Sequence, residues 1–225
     1  MAMQIDPRIV ERFEALAGPD VADGLERNGL EGAAEGVLPL WPDCRKIVGP
    51  AQTLKLVPPG EGPESAAYDT LRAVVAGGQG SVLVIDNGSR PTVNSFGGIV
   101  GTTSKHYGVA GCVSDGAMRD INEYKALDFP CYASGPAMTS IRTRSSSAGY
   151  GIEVTFAGLA VRPGDLVFGD ENGVLIVPRD HIEAVLETAE LVKRTEERII
   201  AAIRSGQDPV AAHEAVHYDQ MLAKT

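Results

Sequence analysis

The sequence predicts an α/β fold in which a strand–helix alternation is followed by antiparallel β structure and closed by one long helix. Three observations predict it. Between Ala66 and Ala133, short continuous apolar runs alternate with segments of helical period. Glu171-Asn172-Gly173 then separates two apolar runs in the manner of a hairpin turn. From Asp180 to about Ser205 an apolar stripe recurs at helical spacing.

Element by element, residues 7–29 read as two short helices. Pro7 suits a first turn, Val10, Phe13 and Leu16 repeat at helical spacing, Pro19-Asp20 opens the second helix and Asn28-Gly29 ends it. Arg45 to Val57 is strand-like and is broken by Pro58-Pro59-Gly60. Ala66 to Val75 is a helix with Tyr68, Leu71 and Val75 on one side, stopped by Gly77-Gly78. Ser81 to Asp86 is a buried strand by its unbroken apolar run. A helix from Gly98 to about Tyr107 leads to a second buried strand, Ala110 to Ser114, and a turn at Asp115-Gly116. A helix over 121–127 and a strand over 129–133 follow. Ile152 to Phe156 alternates like a half-buried strand, Val161 to Asp165 is turn chemistry, and 167–170 and 174–177 flank the hairpin. Ile182, Val185, Leu186, Ala189, Val192, Ile199, Ile200 and Ile203 form the stripe of the last helix, which Gly206 caps. One domain over 1–206 is expected, with 207–225 as a tail that packs on a neighbouring subunit.

Composition bounds the function. A net charge of -10 over 225 residues repels phosphate backbones, so no nucleic-acid partner is expected. The short basic cluster Arg142 to Arg144, beside a Ser-rich turn, reads as a solvated loop. Three cysteines without CxxC spacing read as reduced, buried thiols. Charged residues spaced closely from Asp6 to Glu14 argue against a signal peptide, and no apolar run approaches a membrane span. A cytoplasmic protein with no membrane partner is expected.

The chemistry concentrates in residues 94–123. Gly97-Gly98-Ile99-Val100-Gly101 opens a helix, where bare backbone N–H groups make an anion site. Arg119 and Asp120 follow a buried strand, and the crevice beyond strand carboxyl ends is where α/β sheets bind ligands. Arg119 offers a planar fork for a carboxylate, and Asp120 a hard oxygen for Mg²⁺ or Mn²⁺. A plainer reading also stands: Asp120 with Glu123 three residues on fits a capping box, and Arg119 fits any surface ion pair. His106 reads as an exposed helix histidine. His213-Glu214-Ala215-Val216-His217 matches the H-E-x-x-H pattern of zinc proteases. It lies beyond Gly206 and Pro209, with no His or acidic ligand past Asp219, and reads instead as part of the tail.

The run Gly108-Val109-Ala110-Gly111-Cys112-Val113-Ser114-Asp115-Gly116-Ala117-Met118-Arg119-Asp120 resembles the signature of the RraA-like proteins. These include class II pyruvate aldolases acting on 4-hydroxy-4-methyl-2-oxoglutarate and 4-carboxy-4-hydroxy-2-oxoadipate. Gly49 to Thr53, Pro163 to Asp165 and Gly169 to Val174 extend the resemblance over roughly residues 10–205. It implies an α/β/β/α sandwich with mixed sheets, resembling the phosphohistidine swivelling domain, and homotrimers or hexamers with sites at subunit boundaries. It also implies that Arg119 binds a substrate carboxylate and that Asp120 ligates Mg²⁺ or Mn²⁺. The backbone N–H groups of Gly97, Gly98, Ile99 and Val100 would hold a pyruvate moiety, and Glu196 or Glu197 would be the acid lent by a neighbouring subunit. The aldolases carry Asp or Glu where this chain has Gly98. Metal hold is therefore expected to weaken, by about 10- to 100-fold if that carboxylate is not replaced, and Gly98→Glu is expected to raise aldolase activity.

Two functions follow. One is a metal-dependent lyase acting on a small 2-oxo acid through a pyruvate enolate, by retro-aldol cleavage or oxaloacetate decarboxylation. The other is a non-catalytic regulator acting through protein contact, which needs none of the Arg119-Asp120 chemistry. A methyltransferase is disfavoured, because no glycine-rich nucleotide loop follows a first strand.

Overall fold

The computed structural model describes residues 5–217. The chain opens with α1 (Pro7–Glu14), whose start is fixed by Pro7 in the first turn and by the Asp6 carboxylate accepting from the N–H of Arg8 at 2.9 Å. Next come α2 (Gly18–Arg27), β1 (Leu38–Pro39), β2 (Ile47–Val57), β3 (Glu64–Ser65), α3 (Ala66–Gly77) and β4 (Val82–Asp86). The middle of the chain carries β5 (Asn94–Phe96), α4 (Gly98–His106), β6 (Gly111–Met118), α5 (Ile121–Leu127) and β7 (Cys131–Pro136). The antiparallel part follows as β8 (Ser146–Tyr150), β9 (Val154–Phe156), β10 (Leu159–Val161), β11 (Leu166–Asp170) and β12 (Gly173–Val177). A 3-10 turn then leads into α6 (Ile182–Arg204) and α7 (Pro209–Glu214).

The main sheet is mixed, with its spine ordered β1-β7-β6-β4-β2-β11-β12. β2, β4, β6 and β7 run parallel, as the βαβ alternation requires, while β11 and β12 join antiparallel beside β2. Side chains alternate across it and define three apolar layers. Leu83, Ile85 and Cys112 face α3, α4 and α5, together with Phe96 and Tyr124. Val82, Val84 and Val113 face inward, against Val167, Val174 and Ile176 of the antiparallel half and the β9–β10 hairpin. Leu166, Phe168 and Val177 face outward again, against Phe13, Leu25, Val185 and Ala189 of α1, α2 and α6. The sheet thus doubles over on itself between two helical layers, which is the α/β/β/α arrangement that the family resemblance implied.

Two local expectations are corrected, and further features come to light. Asp115-Gly116 is no turn: β6 continues to Met118, with an irregularity between Ser114 and Ala117. The Asp115 carboxylate replaces the missing ladder by accepting from the N–H groups of Asn87 and Ser89 at 2.6 and 2.9 Å. The core-facing side of α3 is Ala66, Thr70, Ala73 and Val74, whereas Tyr68 and Val75 stand 66% and 50% exposed. β5 was not foreseen, nor was β8, whose Ser-rich segment pairs with β2 and β3. The H-E-x-x-H segment does not form one helix: α7 ends at Glu214, and His217 lies at φ 51, off the helical path. Ala212 of α7 is buried, where the helix folds back against α6. Asp219 lies outside the described residues.

Candidate functional site

The site forms where two parallel strands end together. Phe96 of β5 and Met118 of β6 are register partners, so Gly97-Gly98 and Arg119-Asp120 leave the sheet side by side. α4 begins at Gly98 and α5 at Ile121, and both point their first turns at the same crevice. Tyr124 ties α5 to the end of β5. Its hydroxyl donates to the Phe96 carbonyl at 3.1 Å, and its ring packs on Phe96 with centroids 5.5 Å apart.

Asp120 is the pivot. It adopts a left-handed backbone, φ 65 and ψ 34, which Asp tolerates better than most residues. That twist turns its side chain away from its own helix. No side-chain cap forms on α5; instead Asp120 Oδ2 accepts from the N–H of Gly98 at 2.8 Å, across the crevice. The capping box is therefore not made. Glu123 bonds Asp120 only through its backbone N–H, at 2.9 Å, and its carboxylate runs toward Gly98. The N–H of Gly98 is accordingly spent on Asp120, which corrects its expected role as a substrate donor. Ile99 and Val100 still belong to the first turn of α4, whose N–H groups have no intrahelical acceptor.

Arg119 lies beside this pair. Its Nε is 3.5 Å from Asp120 Oδ2, and it is a buried atom with no hydrogen-bond partner. The groups line one cleft of about 610 Å³, which holds Gly97, Gly98, Ile99, Val100, Arg119 and Asp120 together as the sequence predicted. The cleft also contains residues that sequence reasoning missed. Asn94 of β5 is 2% exposed, and its Oδ1 has no partner. A polar side chain inside a strand, where Asn is disfavoured, was the available signal. Glu123 lines the floor, and Tyr68 and Leu71 of α3 form a wall. Arg142, read from the sequence as a solvated loop residue, stands at the mouth, still exposed.

Glu196 and Glu197 lie on α6, in the opposite helical layer, and neither lines the cleft within the chain. His106 ends α4 away from the cleft, exposed, edge-on to Tyr107. Among the described residues no three His, Cys, Asp or Glu side chains gather as a ready metal cage. Asp120 and Glu123 nonetheless both line one cleft with hard oxygens. This donor set fits a Mg²⁺-like cation, which binds through one or two carboxylates and keeps several waters.

An α/β/β/α layering with an Arg-Asp cleft beyond parallel strand ends defines the class, and sequence comparison gives the family. The RraA-like family (Aldolase/RraA) matches residues 18–176, and the chain belongs to it. It is 29% identical over 214 residues to Protein DlpA of Legionella pneumophila, covering 95% of this chain but 34% of that protein. The chain thus spans about a third of that relative. It is 29% identical over 210 residues to a provisionally named 4-hydroxy-4-methyl-2-oxoglutarate aldolase of Halalkalibacterium halodurans, covering 93% of this chain and 95% of that one. Among solved structures, an uncharacterized protein from Pseudomonas syringae superposes with a TM-score of 0.83 at 27% identity, covering 94% and 99% of the two chains.

Proposed function

We propose that the protein is a divalent-metal-dependent lyase that cleaves a small 2-oxo acid through a pyruvate enolate, by retro-aldol cleavage of a 4-hydroxy-2-oxo diacid or by oxaloacetate decarboxylation. One observation carries the reading: the Asp120 carboxylate is turned off its own helix and into a cleft beside an Arg119 nitrogen that has no hydrogen-bond partner. A mere capping role would have left that oxygen on α5. Relatives named for the aldolase activity support it.

Asp120 is the residue that would hold Mg²⁺ or Mn²⁺. The cation, when bound, supplies Lewis acidity that stabilises negative charge on the keto oxygen as the C–C bond breaks. Arg119 orients the substrate carboxylate by charge-assisted hydrogen bonds and adds positive charge where the enolate develops. The first turn of α4 presents Ile99 and Val100 N–H groups and the positive end of its dipole to the same anion. Asp120 holds the N–H of Gly98, which fixes α4 against α5 and keeps the crevice in shape.

The proposed assembly is a trimer or a hexamer, with the cleft at a subunit boundary and Glu196 or Glu197 of a neighbouring copy completing it. Apolar side chains exposed around the cleft support this: Tyr68 at 66%, Ile99 at 74% and Met138 at 95%. The test is Mn²⁺-dependent exchange of the C3 protons of pyruvate, followed by NMR in deuterated buffer. Wild type should exchange, and Asp120→Asn and Arg119→Ala should each slow exchange by about 100-fold or more. Folded wild type that gives no exchange at saturating Mn²⁺ would leave the regulator reading in its place.

A further inference from the structure

The cleft holds a second guanidinium. Besides Arg119 and Asp120, its lining includes Ser140, Ile141 and Arg142 of the β7–β8 loop. At about 610 Å³ the cleft falls in the range, about 300–1,000 Å³, that encloses drug-sized ligands, so a pyruvate moiety alone leaves much of it unfilled. Arg142 is bonded through its backbone only. Its N–H donates to the Ser140 hydroxyl at 3.2 Å, and its carbonyl accepts from the Thr143 hydroxyl at 2.6 Å. Among the described residues its guanidinium has no hydrogen bond or ion pair. We infer that Arg142 reads a second anionic group of the ligand, distinct from the one Arg119 takes, so that the cleft selects a 2-oxo acid with two acid groups over one with a single acid group. The inference rests on the lyase reading above and names a specificity-determining residue for it.

Three further facts agree. The loop that carries Arg142 is tied down on both sides. Ile141 packs against the apolar layer of Phe96 and Tyr124, and its carbonyl accepts from the N–H groups of Arg144 and Ser145 at 3.1 and 3.2 Å. Before it, the Thr139 hydroxyl donates to the Thr92 carbonyl at 3.0 Å. A guanidinium on a fixed loop loses less freedom when it takes a ligand. The neighbouring arginines are engaged instead with the protein. Arg144 donates back to the Ser140 carbonyl at 3.4 Å, and Arg90 donates to the Asn87 carbonyl and amide oxygens, each at 2.7 Å. Charge supplies the last fact. Asp120 and Glu123 line the same cleft in a chain of net charge -10, and both repel a dianion. A second guanidinium, whose planar fork matches a carboxylate, offsets that repulsion where the second acid enters.

The test sets two competitors against pyruvate in the proton-exchange assay, which reads their affinity from initial rates whether or not they are cleaved. One is 4-hydroxy-4-methyl-2-oxoglutarate. The other is 4-hydroxy-4-methyl-2-oxopentanoate, the same skeleton with a methyl group in place of the far carboxylate. Wild type should bind the diacid about 10-fold more tightly than the monoacid, the low end for a charge-assisted hydrogen bond at an exposed site. Arg142→Gln should bring the two to within about threefold of each other, and Arg142→Lys, which keeps the charge but not the fork, should restore part of the difference. Added salt should narrow the difference in wild type and leave it nearly constant in Arg142→Gln. If wild type does not prefer the diacid, or if Arg142→Gln prefers it as wild type does, the role of Arg142 is overturned and the lyase reading stands. If wild type exchanges no pyruvate protons, the lyase reading falls and takes this inference with it.

Discussion

Asp120 holds a backbone conformation that costs an ordinary L-residue about 1–2 kcal/mol, and Asp and Asn least. Asp120→Asn should therefore stay close to wild-type stability, because Asn accepts the left-handed turn and its amide oxygen still accepts from Gly98. Asp120→Ala loses both, and urea denaturation should show it about 1–2 kcal/mol less stable than Asp120→Asn. Equal stability of the two would mean that the twist is not held by the side chain. A side chain added at Gly98 would meet the far end of the flexible Glu123 side chain, so Gly98→Glu requires that carboxylate to swing aside. The Arg119-Asp120 pair was legible because two chemically loaded residues end a buried strand. Asn94 and Arg142 were not, because the fold alone brings their separate segments to the cleft, and Glu123 was read only as the far half of a capping box.

At the scale of elements, β4 and the first half of β6 were legible because parallel strands covered on both faces are largely apolar, and β2 because its strand-like run ends at Pro58-Pro59-Gly60. β5 and β8 were not, because Asn94-Ser95-Phe96 and Ser146 to Tyr150 are short, polar and held by pairing rather than by pattern. The far end of β6 was read as a turn for the opposite reason: Asp115-Gly116 has turn composition, but Asp115 is buried and its carboxylate collects donors. It accepts from Asn87, from Ser89 twice, and from Ala157 at 3.5 Å. Asp115→Asn would set an amide NH₂ against these donors and should lower stability by about 1–3 kcal/mol. Burial pushes the Asp115 carboxyl above its ordinary 3.8, outweighing the hydrogen bonds that lower it. A raised folded-state value means that the native protein holds the proton more tightly than the unfolded chain. The contribution is thus full below 3.8 and fades as pH rises through the folded-state value. The stability gap between wild type and Asp115→Asn, followed by denaturant titration from pH 3 upward, should narrow across that window.

At the scale of the whole molecule, strand–helix alternation plus the hairpin gave an α/β core with antiparallel structure after it, the four-layer order was implied only by the family resemblance, and the doubling of one continuous sheet was not legible at all. It depends on β2 pairing with β4 on one side and with β11 and β8 on the other, contacts that no local pattern encodes. The three cysteines are free. Burial raises Cys112 and Cys131 well above an ordinary thiol and pushes Cys44 up to about 11. In a native sample at pH 7 the buried Cys112 and Cys131 should react negligibly with a thiol-titrating disulfide reagent, the half-buried Cys44 only slowly, and the denatured chain should yield all three; rapid modification of Cys112 or Cys131 would contradict their burial. Among the described residues no helix is long and apolar enough to cross a membrane. The placement of β2 also bears on how the chain is made. Gly49 pairs with Val167, so a nascent chain carries an open strand edge through most of its synthesis, until the ribosome delivers β11. Premature termination before Leu166 yields a sticky, unfinished sheet, and the protein's yield in a cell depends on how well that edge is shielded during translation.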